Sequence, residues 1–251
     1  MIKTDPNFVE CGKRLSEIFA KTLTEIKAGK KLIEIESFAD KLIEQSGGKA
    51  SFKMVPKYHW ATCINLNEGV VHGIPNETVI KEGDVVSLDI GLFYKGWHTD
   101  MAYTIQIKNS EESKFLQIGK LALERAIEKA RVGNRVGHIS RVIEETIENA
   151  GYHCVRDLTG HGVGKRLHQE PWIPCFEAMP LNKTLVLTEG MGLAIEVIYT
   201  KGHPDIARKN DGWTIVSADG KMSALFEKTV IVSKDRGKVI TPFLWDRKIN
   251  K

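Results

Sequence analysis

Two apolar runs joined by a turn carry acids in their midst: VVSLDIGLFYKGWHTDMAY, residues 85–103, sets Asp89 in the first and Asp100 in the second. Valine, leucine, isoleucine and phenylalanine around Asp89 predict a mostly buried strand, although Asp is depleted from strands. A lone buried carboxylate costs several kcal/mol unless it is paired, protonated or bound to metal. Tyr94-Lys95-Gly96 reads as a short loop ending in glycine, a type I turn with a glycine bulge. A loop centred there sets Asp89 opposite Asp100, on one face of an antiparallel hairpin. Opposed side chains in such a pair have Cβ atoms about 4.5–5.5 Å apart, so two carboxylates need a shared proton or a cation between them. The chain is therefore expected to contain antiparallel sheet and to bring a proton or, as the stronger expectation, a metal ion to this hairpin.

The rest of the chain limits what that counter-charge can be. Its 251 residues, 42% hydrophobic, suit one large globular domain with its own core. The net charge of +4 is too mild to argue for nucleic acid, and no DNA partner is expected. Cys11, Cys63, Cys154 and Cys175 lie far apart without a CxxC spacing. They read as free thiols in a reducing compartment, against a disulfide framework or thiolate zinc. MIKTDPNFVECGKRL has no apolar signal core, and no segment approaches the apolar length of a membrane span. A cytoplasmic protein without a membrane partner is the expectation.

Apolar residues near helical spacing predict helices at about 8–26, 32–45, 113–130 and 137–150, with Gly47 and Gly151 as C-caps of the second and fourth. Strand-like runs follow each helix pair, at 85–93 and 97–107, then at 191–199, 212–217 and 223–232. The two halves resemble each other. CGKRLSEIFAKTL matches IGKLALERAIEKA, and NETVIKEGDVVSLDIG matches NKTLVLTEGMGLAIEV, so Gly12 falls on Gly119 and Asp89 on Glu196, each 107 positions apart. The expected domain is 1–251, with repeat halves at about 8–107 and 115–232.

More acids lie where the pattern predicts burial. Glu196 sits in LAIEV and Glu227 in SALFEKTVIV, while LTGHGVGKRLHQEP offers His161 between glycines and His168 seven positions on. Few lysines or arginines share these apolar runs. Two divalent ions balance four carboxylates, and carboxylates with one imidazole suit Mn, Fe, Co or Zn. Two such ions about 3.5–4 Å apart activate a shared water for hydrolysis. His72, in NEGVVHGIP, and His168 stand beside turn-forming or helix-breaking residues, which favours a rim position near substrate.

NEGVVHGIP, SLDIG with GWHTD, GHGVGKRLHQEP, DGWT and the strands of Glu196 and Glu227 together resemble the type I methionine aminopeptidases of the short bacterial kind, in the M24 metallopeptidases, over essentially the whole chain. The resemblance implies an α+β pita-bread fold: a pseudo-two-fold repeat of helix-helix-strand-strand units with a curved antiparallel sheet around two divalent ions (Co, Mn, Fe or Zn). It implies that Asp100 and Glu227 bridge the metals, that Asp89 holds one, and that His161 and Glu196 hold the other. It also implies that a metal-bridging hydroxide attacks the first peptide carbonyl, with Glu196 as proton acceptor and the free α-amine on a metal. His72 and His168 then bind the substrate backbone and the oxyanion. Cys63, Phe52 and Trp213 fall where the family lines its methionine pocket, although Phe52 and Trp213 fit ordinary core packing equally well. Val197 stands where proline is usual, Lys228 where histidine is common, and Leu225 where a polar residue is usual. VPKYHWATC is longer than its family counterpart, so His59 and Trp60 bear on substrate entry.

The implied substrates are nascent peptide N-termini, and a monomer is the default. An X-Pro aminopeptidase or prolidase shares the fold and ligand set but normally carries a sizeable N-terminal domain, whereas about 50 residues precede the first strand-like segment here. A metal-free relative that binds RNA or protein would have lost ligands, and none is lost. TKGHPDIARKN, with Lys201, Arg208 and Lys209, fits either a ribosome-contacting surface or a solvated loop.

Overall fold

The computed structural model describes residues 5–243. The expected domain of 1–251 runs past both limits, and those end positions lie outside the described residues. Among the described residues there are four α-helices: α1 Pro6–Leu23, α2 Leu32–Gln45, α3 Ser113–Lys129 and α4 Val136–Glu148. Helix α1 begins earlier than its apolar periodicity predicts. Asp5 caps it, its carboxylate accepting from Asn7 N–H at 2.8 Å, and Pro6 fills the first turn. Gly47 and Gly151 follow α2 and α4 at φ +75° and +84°, the left-handed conformation in which helices commonly end.

The strands are β1 Lys49–Ala50, β2 Thr62–Leu66, β3 Gly69–Val71, β4 Val85–Tyr94, β5 Trp97–Gln106, β6 His153–Cys154, β7 Thr159–Gly162, β8 Gln169–Pro174, β9 Gly192–Thr200, β10 Ile206–Arg208, β11 Ile215–Ser217, β12 Ser223–Ile231 and β13 Lys238–Val239. Ten form one sheet, in the order β1-β4-β5-β12-β9-β7-β8, with β2 on β4, β6 on β9 and β13 on β12. A small sheet, β10-β11-β3, stands beside it. Every strand pairing in both sheets is antiparallel. The two helix-helix-strand-strand units are visible: α1 packs on β4 and β5, and α3 on β9 and β12. This is the pita-bread arrangement. The 212–217 run is strand only from Ile215, because Asp211 holds the preceding residues in a turn, accepting from Trp213 N–H and Thr214 N–H at 2.9 and 2.8 Å. No helix among the described residues is long and apolar enough to cross a membrane.

The repeat of Gly12 and Gly119 has a steric cause. A Cβ on Gly12 would lie 2.5 Å from the Ile240 carbonyl oxygen, and one on Gly119 would lie 2.5 Å from Tyr199 Oη and 2.7 Å from Phe226 Cδ2. Each first helix of a pair thus lays bare backbone against its neighbours, Gly12 against the backbone just after β13 and Gly119 against β9 and β12 side chains. Tyr199 has little room to yield, since its hydroxyl donates to the Phe115 carbonyl at 2.6 Å.

The units meet where β5 runs beside β12, and the ladder there registers just two pairs, Ala102 with Glu227 and Met101 with Lys228. Threonine hydroxyls take over on either side. Thr104 Oγ1 donates to the Leu225 carbonyl (2.8 Å) and accepts from Leu225 N–H (2.9 Å). Thr229 Oγ1 does the same for Asp100, at 2.8 and 2.9 Å. A hydroxyl bridging two strands spans a wider gap than a direct N–H···O bond, so the seam is tight at Ala102–Glu227 and splays beyond it.

Gly119→Ala is expected to lower the unfolding free energy by about 1–3 kcal/mol through overpacking, read as a lower urea midpoint at unchanged slope. An unchanged midpoint would contradict this account of the repeat.

Candidate metal centre

One rung of the large sheet collects most of the acids. Across it Cys63 lies opposite Asp89, Asp89 opposite Ala102, Ala102 opposite Glu227, and Glu227 opposite Glu196. Directly opposed residues of antiparallel strands project to the same face, so three carboxylates and a thiol share it. Ala102, fully buried between Asp89 and Glu227, is the small residue that leaves the acids room. Asp100 stands two residues before Ala102 and so shares its face. His161 lies opposite Ala194, which is two residues before Glu196 on β9, so the imidazole joins the group.

The hairpin register differs from the sequence expectation. Lys95 and Gly96 form a two-residue turn with φ of 47° and 81°, and Tyr94 pairs with Trp97. Positive φ at both central residues is the type I′ geometry, which matches the twist of the flanking strands. It shifts the ladder by two, so Asp89 faces Ala102, Asp100 faces Gly91, and the two acids are diagonal neighbours. They still converge. Asp89, Asp100 and Glu227 each offer an oxygen within 4.8 Å of the others', as do the ligand atoms of His161, Glu196 and Glu227, and those of Asp100, His161 and His168.

The electrostatics call for a cation. Asp89, Asp100, His161 and Glu227 are buried, and Glu196 is the most open of the acids, its side chain 13% exposed. Buried Asp89 Oδ1 and Glu227 Oε1 have no hydrogen-bond partner among the described residues. Glu36, another buried acid, shows what a satisfied one looks like: it accepts from Ala61 N–H at 2.6 Å, Thr62 N–H at 2.9 Å and Thr62 Oγ1 at 2.7 Å. Burial, and then the charge of Asp100, push Asp89, Glu196 and Glu227 well above the usual carboxylate range. Burial raises Asp100 to about 7. Orphaned oxygens on mutually repelling, oxygen-rich ligands fit hard or borderline divalent ions. The imidazole fits as well. Its Nδ1 lies 3.0 Å from the Gly162 carbonyl, which accepts from Nδ1–H, and this leaves the Nε2 lone pair facing Glu196 Oε1 at 3.6 Å. Burial lowers His161 to about 4, so the ring is neutral at pH 7.

These groups line a cavity of about 130 Å³ together with His72, His168, Phe52, Cys63 and Trp213. His72 is half-buried at φ +56°, a left-handed conformation costly for a non-glycine residue and found disproportionately at functional sites. Burial, then His168, lowers its pKa to about 4. His168 is exposed, with its ring 4.5 Å from that of His161. Sequence reasoning missed Tyr58, Val55 and Leu167. Tyr58 packs edge-on against Trp213 at 5.1 Å, and its hydroxyl donates to Cys63 Sγ at 3.1 Å. Leu167 joins Phe52, Tyr58 and Cys63 in one apolar cluster. Tyr58 lies within the long VPKYHWATC segment, the one signal that marked it. Trp60 rests on Tyr58 at 5.3 Å, and His59 is exposed beside it. Strand alternation turns Val197 and Lys228 away from the cavity: Val197 is fully buried, and Lys228 Nζ stands 3.9 Å over the Phe243 ring.

Known proteins share this architecture. The methionine aminopeptidase of Aquifex aeolicus is 39% identical over 245 residues, covering 92% of this chain and 95% of that protein. The crystal structure of a methionine aminopeptidase from Thermotoga maritima superposes with a TM-score of 0.89 at 34% identity, covering 96% of this chain and 99% of that one. A prolidase from Pyrococcus horikoshii shares the fold at a TM-score of 0.74 and 20% identity, with this chain spanning 63% of its length. The model of metallopeptidase family M24 matches residues 7–234. On that match and these relatives, the chain belongs to metallopeptidase family M24.

Proposed function

We propose that this protein is a metal-dependent aminopeptidase that hydrolyses the N-terminal methionine from peptides and nascent chains. The observation that carries the reading is the convergence of Asp89, Asp100, His161, Glu196 and Glu227 on one cavity, with buried carboxylate oxygens unpaired. These five side chains would hold two divalent ions. When bound, such ions supply Lewis acidity and a water that ionises near neutral pH. Asp100 and Glu227 each belong to two of the three ligand clusters and share one of them with Asp89, so between them they would link the Asp89 side of the site to the His161 side. Glu196, the most open acid, takes the proton from the attacking water and returns it to the leaving amine. Neutral His72 and His168 donate hydrogen bonds to the substrate carbonyl and to the oxyanion it becomes. Phe52, Tyr58, Cys63, Leu167 and Trp213 form an apolar, aromatic slot that accepts an unbranched, polarizable thioether.

Two observations favour methionine over an X-Pro bond. The relatives named as methionine aminopeptidases match nearly end to end at 34–39% identity, whereas the prolidase matches at 20%. The slot is also lined by flat rings and a thiol, which suit an unbranched thioether. Docking of the basic loop on a ribosome draws little support, because Lys201 lies 2.8 Å from Glu112 and Lys209 3.7 Å from Glu68, which favours the solvated-loop reading.

Purified protein supplied with Mn, Fe, Co or Zn is expected to release methionine from Met-Ala-Ser, and chelation or Asp100→Asn to abolish release. His72→Ala should lower kcat by about 10²–10³-fold with the fold intact by circular dichroism. Release solely from Ala-Pro-Ala, or no turnover with any of these metals, would overturn the reading.

Metal binding should also reverse the pH dependence of stability. Without metal, the site acids have folded pKa values above their unfolded value of about 4, so the folded state retains more protons and stability falls as pH rises from there through about 7, the Asp100 value. Metal requires the ionised acids and displaces those protons. The rise in Tm on adding Mn²⁺ is therefore expected to be larger at pH 8 than at pH 5.5, measured by scanning calorimetry. An equal or smaller rise at pH 8 would contradict the assignment of these acids as ligands.

A further inference from the structure

Four basic side chains lie on the segment from the end of β9 to the turn before β11. Three face a carboxylate: Lys201 meets Glu112 at 2.8 Å, His203 meets Asp205 at 3.1 Å, and Lys209 meets Glu68 at 3.7 Å. The fourth, Arg208, is exposed and has no hydrogen bond or ion pair among the described residues. A segment that pairs its other basic side chains leaves its one always-charged, fork-shaped donor open.

Its position relates it to the cavity. Arg208 lies opposite Ile215, and Ile215 opposite Val71, so the three project to one face of the small sheet. Val71 is a wall of the metal cavity and the residue before His72. Two strand spacings separate Arg208 from Val71, about 10 Å. The guanidinium charge is also felt at His72, where it adds to burial and His168 in holding the imidazole neutral. A peptide with its first carbonyl at His72 and its chain extended at about 3.4 Å per residue covers that distance by its third or fourth residue.

We propose that Arg208 is a specificity-determining residue that binds a carboxylate of the substrate downstream of the scissile bond. The proposal rests on the aminopeptidase reading above. The carboxylate has two sources, an acidic side chain at the third or fourth residue or the C-terminus of a short peptide, and a guanidinium receives either one bidentately.

The test compares kcat/KM of the metal-loaded enzyme for Met-Ala-Ser amide, Met-Ala-Ser free acid, Met-Ala-Asp amide and Met-Ala-Lys amide. Wild type is expected to prefer a carboxylate-bearing peptide over the neutral amide by about 1.5–5-fold at low salt, the range of an exposed ion pair. Preference for Met-Ala-Asp amide identifies the side chain as the source, and preference for the free acid identifies the C-terminus. The preference should shrink at 0.5 M salt, vanish in Arg208→Ala, persist in Arg208→Lys and invert toward Met-Ala-Lys amide in Arg208→Glu. Equal rates for all four peptides in wild type, or the same ratios in Arg208→Ala, would overturn the assignment and leave the aminopeptidase reading standing. Failure of wild type to cleave any of the four would instead overturn both.

Discussion

Four carboxylates held together away from water repel one another, and everything about the site follows from how that repulsion is met. Asp89, Asp100, Glu196 and Glu227 each have burial as the leading cause of a raised pKa, and for three of them a neighbouring acid follows. Proteins commonly neutralise such a cluster with arginine, with shared protons or with metal. Glu36 shows that this chain can satisfy a buried acid with backbone and hydroxyl donors where no chemistry is required. At the cavity it does not, and two buried oxygens remain without donors. A divalent cation pair is the counter-charge that suits four acids and one imidazole whose free nitrogen already points inward.

The sheet makes this cluster rigid. Acids on a single rung of adjacent strands are spaced by the ladder itself, and Ala102 keeps the middle of that rung clear. The junction of the two halves runs through the same rung. Thr229 fixes both backbone polar groups of Asp100 from the partner strand, so the second half of the chain positions an acid of the first. Placing a site at the meeting line of two similar units explains why its residues are scattered from 52 to 227 in the sequence. It also explains why each helix layer must seat closely: a helix held off by a side chain at position 12 or 119 would tilt its half of the ladder.

Much of this was legible in the sequence where a residue contradicted its surroundings. Asp89, Asp100, Glu196 and Glu227 stood out because acids interrupt apolar strands, and His161 because glycines flank it. The two-residue register error arose from turn chemistry: a lysine at positive φ is uncommon, so Lys95-Gly96 read as part of a longer loop. Side chains that agree with their surroundings carried no such signal. Ala102 is an ordinary strand alanine until the ladder sets it between two acids, and Tyr58 and Leu167 look like core residues because they are core residues, the first walling the cavity and the second packed in the same apolar cluster. Val197 and Lys228 depart from the family pattern beside Glu196 and Glu227, but alternation along a strand sends neighbours to opposite faces.

The account stands on the claim that bound cations hold these acids ionised together. Titrating Co²⁺ into chelator-treated protein near pH 7.5, with absorbance reporting coordination and a dye reporting released protons, tests it directly. The account predicts uptake of about two equivalents, proton release with each, and loss of uptake in Glu227→Gln. Absence of uptake, or uptake that Glu227→Gln leaves unchanged, would contradict it.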